Sequence, residues 1–222
     1  MPSVEFRPFA EDDFESLSGI YGRLWCDTGE EDERRLFGAV AVATYLSISP
    51  HSIVAEHDGR AVGCTLGRMA GEATPSQWRW HRDLLISAAD AFSPELTKRM
   101  HDQLLVNRRE LEVAATYLQR DDDCASAELN LLMVDPDAKG LGIGGRLFDL
   151  MRRELSEEGA EGFFLMTDDE CDFTFYDHKG LSRLESYGSR TVPSAEGKGR
   201  EVELPGIYVY GQQLPAGEAS TL

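Results

Sequence analysis

The sequence predicts an α/β fold of the α+β type, with about six to seven strands and a helical segment inserted between the third and fourth strands. Three observations support this prediction. Two apolar segments flank Asp58-Gly59, as in a β-hairpin. A strand, a glycine-rich turn and an amphipathic helix follow one another over 127–158. Between these two units, residues 71–123 carry helical patterns.

Short strands and amphipathic helices account for the rest of the chain. Val4 to Pro8 alternates as a strand that stops at a proline, and the apolar residues of 11–25 repeat at helical spacing. Thr74-Pro75 and Ser93-Pro94 each have the form of a helix cap with proline in the first turn. The predicted strands are 4–8, 52–57, 60–69, 127–134, 162–167, 184–191 and 201–210, and the predicted helices outside the insertion are 11–25, the segment after the acidic run 30–33, 142–158 and 169–179.

Length and composition predict one globular domain. The 222 residues are 41% hydrophobic, which is enough for one substantial core, and we assign the domain to 1–212 with 213–222 as a flexible tail. No segment reaches the roughly 18 uninterrupted apolar residues that a membrane helix requires. The first residues also lack the basic and apolar pattern of a signal peptide. We therefore expect a soluble, cytoplasmic protein.

The net charge bears on the kind of partner. The chain has 22 basic and 40 acidic side chains and a formal net charge of −18. This charge opposes binding to nucleic acid or to an anionic membrane surface and weakly favours a cationic partner, although it also serves solubility alone.

The four cysteines, Cys26, Cys64, Cys124 and Cys171, lie far apart in the sequence. Neither a CxxC pair nor a histidine at metal-ligand spacing accompanies them, so we expect reduced thiols and no metal site.

The segment from Val134 to Gly145 is the most informative part of the sequence. Its glycines allow successive backbone N–H groups to converge on one point, and the following helix adds its positive end, so the turn suits a diphosphate. A P-loop is excluded because no GxxxxGK run occurs. A dinucleotide fingerprint is formally present at Gly140, Gly142 and Gly145, with Asp168 downstream. The distance of Gly140 from the strand and the short remaining chain argue against that alternative.

The run Lys139-Gly140-Leu141-Gly142-Ile143-Gly144 resembles the acetyl-CoA signature of the GCN5-related N-acetyltransferase (GNAT) superfamily, with Lys139 in the place of the usual Gln or Arg. The first strand ends in Arg7-Pro8, as it often does in that family. The run 175–181 is similar to the family's Leu-Tyr-x-x-x-Gly-Phe, with Leu181 for Phe. The resemblance covers nearly the whole chain outside 71–123. It implies the GNAT fold, a central mixed and mostly antiparallel sheet of about six to seven strands flanked by helices.

The resemblance also implies an activity, the transfer of the acetyl group of acetyl-CoA to a primary amine by direct attack in a ternary complex. The strand with Leu132, Met133 and Val134 would splay from its neighbour and offer backbone groups to the pantetheine arm and the thioester carbonyl. The diphosphate would lie on the turn of Lys139, Gly140, Leu141, Gly142, Ile143, Gly144 and Gly145. Acetyl-CoA is then a co-substrate, and no metal is implied.

Two residues are candidates for proton transfer. Tyr176 stands at the family's tyrosine position, where a protonated phenol can donate to the leaving thiolate. Glu128 resembles the catalytic glutamate of the histone-acetylating branch and would serve as the base. Asn130 lies two residues further along the predicted strand, so strand periodicity puts it on the same face as Glu128, where it could orient the base or the substrate.

The acceptor is the least determined part of the prediction. Glu30 and Glu31 fall where the family's first two helices frame the acceptor pocket and could attract a cationic small-molecule amine, and Trp78 of the insertion could line that pocket. A solvated helix start and core packing are equally simple explanations of these residues. A regulatory acyl-CoA-binding module, transfer of a longer acyl group, and a homodimer, frequent in the family, all stay open.

Overall fold

The computed structural model describes residues 4–27, 29–90, 93–168, 171, 173–194 and 199–215. The chain starts with strand β1 (Glu5–Arg7) and a 3-10 turn at Glu11–Asp13, which leads into helix α1 (Phe14–Trp25). The guanidinium of Arg7 binds both Asp13 and Glu56 at 2.7 Å, so the first strand is tied to this turn and to the next strand. Helix α2 (Glu31–Leu46) follows.

The predicted hairpin is confirmed as strands β2 (His51–His57) and β3 (Arg60–Met69). Its turn has φ 52° at Asp58 and 74° at Gly59, the left-handed conformation that Asp-Gly adopts readily. The insertion folds as helices α3 (Ser76–Asp90) and α4 (Pro94–Tyr117), and the Ser93 hydroxyl accepts from the Leu96 amide at 3.3 Å. Both inserted helices are thus as the sequence predicts.

The second half contains strand β4 (Ala127–Val134), helix α5 (Ile143–Glu157), strand β5 (Gly162–Asp168) and a short helix α6 (Thr174–His178). The predicted start of this last helix, at 169–170 and 172, lies outside the described residues. The chain ends in four strands, β6 (Ser182–Tyr187), β7 (Arg190–Pro193), β8 (Glu201–Leu204) and β9 (Ile207–Gln213). The tail predicted from 213 starts too early, because Gln213 pairs with Gly162 in β9 and Leu214 is buried, with its amide bonded to the Glu161 carbonyl at 2.8 Å. Residues 216–222 lie outside the described part.

The prediction of two final strands is wrong. Gly188 lies at the break in the first predicted strand, and Pro205-Gly206 lies at the break in the second. Proline has no N–H to donate to a ladder, and glycine weakens the interior of a strand. The freed halves, β7 and β8, pair with each other as a separate hairpin.

In the described part of the chain, seven strands form the main sheet in the order β1-β2-β3-β4-β5-β9-β6. All neighbours pair antiparallel except β4 and β5, which are parallel, as the predicted mostly antiparallel sheet requires. Helix α5 packs on one face through Leu147, Met151 and Leu155, and helices α1 and α2 pack on the other. None of the described helices is both long and apolar enough to span a membrane.

Helix α4 is fastened to the C-terminal strands by a buried arginine. The guanidinium of Arg109 donates to the carbonyl oxygens of Gly188 and Pro205 at 2.5 Å and to that of Leu204 at 3.3 Å. In addition, an ion pair joins Arg200 to Asp102 at 2.5 Å. These contacts hold the β7–β8 hairpin against the inserted helix.

Arg109→Met should destabilise the protein by about 3 kcal/mol, because buried carbonyl oxygens lose charge-assisted donors. Urea unfolding measures the free energy, and limited proteolysis reports whether the hairpin loosens. Arg108→Met is the matched control, since Arg108 makes an exposed pair with Glu112 at 2.9 Å and its loss should cost about 0.5 kcal/mol or less. Equal stability of the two variants would contradict the clamp.

Candidate active site

The sheet opens between its two parallel strands. Strands β4 and β5 pair at two positions, Glu128 with Phe164 and Leu129 with Leu165. Beyond Leu129, β4 keeps its pairing with β3 as far as Val134, whereas its other edge leaves β5. The backbone groups along 130–134 on that edge are therefore available to a ligand. Leu132 and Val134 are half-buried beside the opening, while the Met133 side chain is buried among α1 and α2, so Met133 can contribute its backbone only.

Asn130 is an extra residue in β4. The register runs from Leu66 opposite Leu131 to Gly67 opposite Leu129, so Asn130 forms a β-bulge. As a result Leu129 packs in the α5 cluster and Leu131 in the α1–α2 cluster, although a regular strand would put both on one face. The bulge does not separate Asn130 from Glu128, since both residues border one small pocket, as their predicted common face implies.

The glycine turn ends at the start of α5. Gly140 has φ 90° and Gly142 has φ 69°, conformations that favour glycine, and Gly142 is the residue that precedes the helix. The first turn of α5, which includes Ile143, Gly144 and Gly145, contains no acidic side chain. Its N–H groups have no partner within the helix, so they and the helix dipole suit an anion. Two exposed cations, Lys139 and Arg146, flank the turn and strengthen that preference, and Leu141 between them is 57% exposed.

A cavity of about 540 Å³ adjoins the opening of the sheet. Helices α1 and α2 supply an aromatic wall, and the inserted helix α4 and the β7–β8 hairpin close the opposite side. Its ionisable lining is mostly acidic: Asp27, Asp102, Glu110, Asp168 and Glu203 against Arg99. The aromatic wall consists of Tyr21, Trp25, Phe37 and Tyr45, and Tyr176 of α6 also lines the cavity. Asn130 and Leu132 of β4 also reach the cavity.

Tyr176 lines this cavity from helix α6. Its ring lies 5.8 Å from that of Tyr210 and 5.4 Å from that of Phe175, which fixes its position. Burial raises the pKa of Tyr176, and the neighbouring Cys171 and Asp168 raise it further. The phenol is therefore protonated at neutral pH and can act as a hydrogen-bond donor.

Glu110 of helix α4 is the residue that the sequence prediction did not find. It is half-buried and lines the main cavity as well as a small pocket of about 50 Å³ beside it. Burial, and then the charge of Asp168, raises the pKa of Glu110 to about 7, although a 3.4 Å hydrogen bond from the Tyr45 hydroxyl acts in the opposite direction. A carboxyl group with this pKa changes charge near neutral pH.

Glu128 lies in a different environment. Its carboxylate accepts from Arg68 at 2.5 Å and 2.7 Å, and its side chain borders the small pocket instead of the main cavity. Burial raises the pKa of Glu128, and the ion pair with Arg68 opposes this shift. With the Asn130 amide turned so that its oxygen accepts from Ser49, its nitrogen lies 2.9 Å from a Glu128 oxygen. Asn130 and Glu128 are thus in contact in spite of the bulge.

Three predicted substrate residues lie outside the lining of the main cavity. Glu30 precedes helix α2, and its amide donates to Glu33 at 3.3 Å, so it belongs to the helix start. Glu31 pairs with Arg35 at 3.0 Å on an exposed face. Trp78 stacks on Phe14 at 5.1 Å, so it joins α3 to α1 by packing. The acidic character of the site comes from other residues.

The geometry also decides between the alternatives for the glycine turn. A dinucleotide fingerprint belongs to a doubly wound parallel sheet, whereas this turn follows the middle strand of a mostly antiparallel one. Among the described residues, no group of three or more His, Cys, Asp or Glu side chains is arranged to hold a metal ion.

No protein-family sequence model matches this chain, and no curated protein matches its sequence. Solved structures match it in fold. The ribosomal-protein-S18-alanine N-acetyltransferase of Escherichia coli is 12% identical with a TM-score of 0.55, and the alignment covers 99% of this chain and 100% of that one. SsHAT is 20% identical with a TM-score of 0.56, covering 96% and 98%. Chaetomium thermophilum Naa20, crystallised with a bisubstrate analogue, is 18% identical with a TM-score of 0.51, covering 96% and 87%.

At sequence identities of 12% to 20%, these similarities concern the fold alone. The seven-stranded sheet and its opening between β4 and β5 are features that the sequence resemblance implies, and the glycine turn before α5 is the motif that carries it. The chain has the fold of the GCN5-related N-acetyltransferase superfamily.

Proposed function

We propose that this protein is an N-acetyltransferase that transfers the acetyl group of acetyl-CoA to a primary amine by direct attack in a ternary complex. One observation carries the proposal: the opening between β4 and β5 lies between a glycine turn suited to a diphosphate and a cavity lined by Tyr176. An acyl donor of this length needs an anion site, a groove with free backbone groups and a reaction chamber, and these three follow one another here.

The residues at the opening fit the donor. The first turn of α5 offers N–H groups and has no acidic side chain of its own, and Lys139 and Arg146 add positive charge. The free edge of 130–134 offers N–H groups that can polarise the thioester carbonyl. Tyr176 would donate a proton to the sulfur as the carbon–sulfur bond breaks.

The acceptor is proposed to be a small cationic amine. Five acidic side chains and one arginine line the cavity, and the aromatic wall suits both an aliphatic stem and a cation.

Acetyl-CoA should bind the purified protein with micromolar affinity in a calorimetric titration, whereas NAD should not bind, because the fold offers no doubly wound sheet for a dinucleotide. Desulfo-CoA, which keeps the diphosphate, should bind in the same range. Absence of heat with both CoA compounds would contradict the proposed function.

Tyr176→Phe should lower kcat by about 10²–10⁴-fold at neutral pH, because the thiolate then leaves without a proton donor. The affinity for acetyl-CoA should change little. Thiol release gives kcat, and calorimetry gives the affinity. Tyr187→Phe is the control, since its hydroxyl bonds to Glu185 on β6, away from the cavity. Wild-type turnover in Tyr176→Phe would remove this residue from the mechanism.

An aliphatic diamine should have a kcat/KM at least about tenfold higher than an ω-amino acid of equal chain length, because the acidic lining repels a carboxylate. Steady-state thiol release at two salt concentrations measures both the ratio and its screening by salt. A preference for the amino acid would contradict a cationic acceptor.

A further inference from the structure

The inserted helix α4 brings one carboxyl group into the interior of the site. Gln103, Val106 and Glu110 are spaced along one face of the helix and line the cavity. Among the carboxyl groups that line the cavity, Glu110 is the one that also borders the small pocket next to β4. It therefore lies where the cavity meets the opened strand.

Every element around Glu110 presents polar groups to this region. Tyr45 of α2 donates to its carboxylate at 3.4 Å. Asp168 of β5 and Glu128 of β4 act on the Glu110 carboxyl group as like charges. The ion pair with Arg68 neutralises part of the charge of Glu128. The other ionisable groups of the cavity are Tyr21, Cys26, Asp27, Arg99, Asp102, Cys171, Tyr176 and Glu203.

The small pocket beside Glu110 contains several polar groups. Within the described residues, the buried Nδ2 of Asn107 has no hydrogen-bond partner, and Asn107 lines this pocket together with Glu110 and Asn130. A volume of about 50 Å³ with this lining is large enough for a water molecule. Glu110 thus borders a space that can hold a water molecule beside a buried amide.

We propose that Glu110 accepts the proton of the acceptor ammonium, so that the helical insertion completes the active site. This inference rests on the proposed function and names its base. Glu128, the base expected from the sequence, is held by Arg68 and lies outside the lining of the main cavity. Glu110 lines the same cavity as Tyr176, so base and acid act on one bound molecule.

The acid strength of Glu110 suits this task. An alkylammonium has a pKa of about 10 and an ordinary glutamic acid one of about 4.3, so direct transfer between them is strongly uphill. Burial raises the pKa of Glu110 to about 7, which makes its carboxylate a stronger base while leaving much of it ionised at neutral pH.

The protons and bonds balance in this scheme. The ammonium gives one proton to the Glu110 carboxylate, and the neutral amine attacks the thioester carbonyl, so that a carbon–nitrogen bond forms and the carbon–sulfur bond breaks. The sulfur takes the proton of Tyr176, and the second proton of the nitrogen restores the phenol. Glu110 releases its proton to solvent, and the products are the amide, the free thiol and one proton.

The test compares Glu110→Gln with Glu112→Gln, an exposed acid on the same helix that pairs with Arg108 at 2.9 Å and Arg190 at 3.7 Å. With the diamine as acceptor, wild type and Glu112→Gln should show kcat rising through an inflection near pH 7. Glu110→Gln should lose about 10²-fold or more at pH 7 and lack that inflection. The deficit should shrink as the pH approaches 10, where free amine becomes abundant.

A stability measurement gives a readout independent of turnover. Because the pKa of Glu110 is raised in the folded state, its contribution to stability is complete below about pH 4.3 and is lost as the pH rises through about 7. The Tm of Glu110→Gln should therefore gain on that of wild type between these pH values, and Glu112→Gln should show no such gain.

The outcomes separate the two claims. A wild-type inflection near pH 7 that persists in Glu110→Gln, or a deficit independent of pH, would overturn the assignment of Glu110 while the transferase activity stands. Absence of thiol release by the wild type with every amine would overturn the proposed function itself. Acetyl-CoA affinity, measured in parallel, should be equal in the three proteins.

Discussion

The candidate site depends on one constraint in the sheet, the loss of pairing between β4 and β5 after Leu129 and Leu165. Each strand stays in the sheet because its other neighbour holds it: β3 pairs with β4 up to Val134, and β9 pairs with the whole of β5. The opening between β4 and β5 therefore leaves the rest of the sheet paired. Backbone groups on its edges must still be satisfied, and a ligand with amide and carbonyl groups can do this as well as water.

Much of the fold could be predicted because its signals are local. The Asp58-Gly59 hairpin, the caps at Ser93 and the glycine turn each depend on a few neighbouring residues with defined conformations. The final strands could not be predicted in the same way. At both breaks, Gly188 and Pro205-Gly206, carbonyl groups accept hydrogen bonds from the buried Arg109 of a distant helix, a contact that no local pattern signals.

The site was predictable where a motif carries it. The turn around Gly142 and the position of Tyr176 follow from short sequence patterns, and both adjoin the opening of the sheet. Glu110 has no such pattern, because a polar residue at helical spacing on α4 reads as a solvated face until the fold covers it. The β-bulge at Asn130 also lacks a sequence signal, because one extra residue changes the face on which the following side chains lie without changing the composition of the strand.

The contacts of Arg109 and Arg200 with the C-terminal strands bear on how the cavity is bounded. Arg109 and Arg200 bind the β7–β8 strands to the helix at two points, so this part of the cavity lining is tied to the fold. At the end of α1 the lining reaches the surface, where Trp25 is 40% exposed and Asp27 faces solvent. An aromatic ring and a carboxylate at the rim of a cavity attract cations and repel anions.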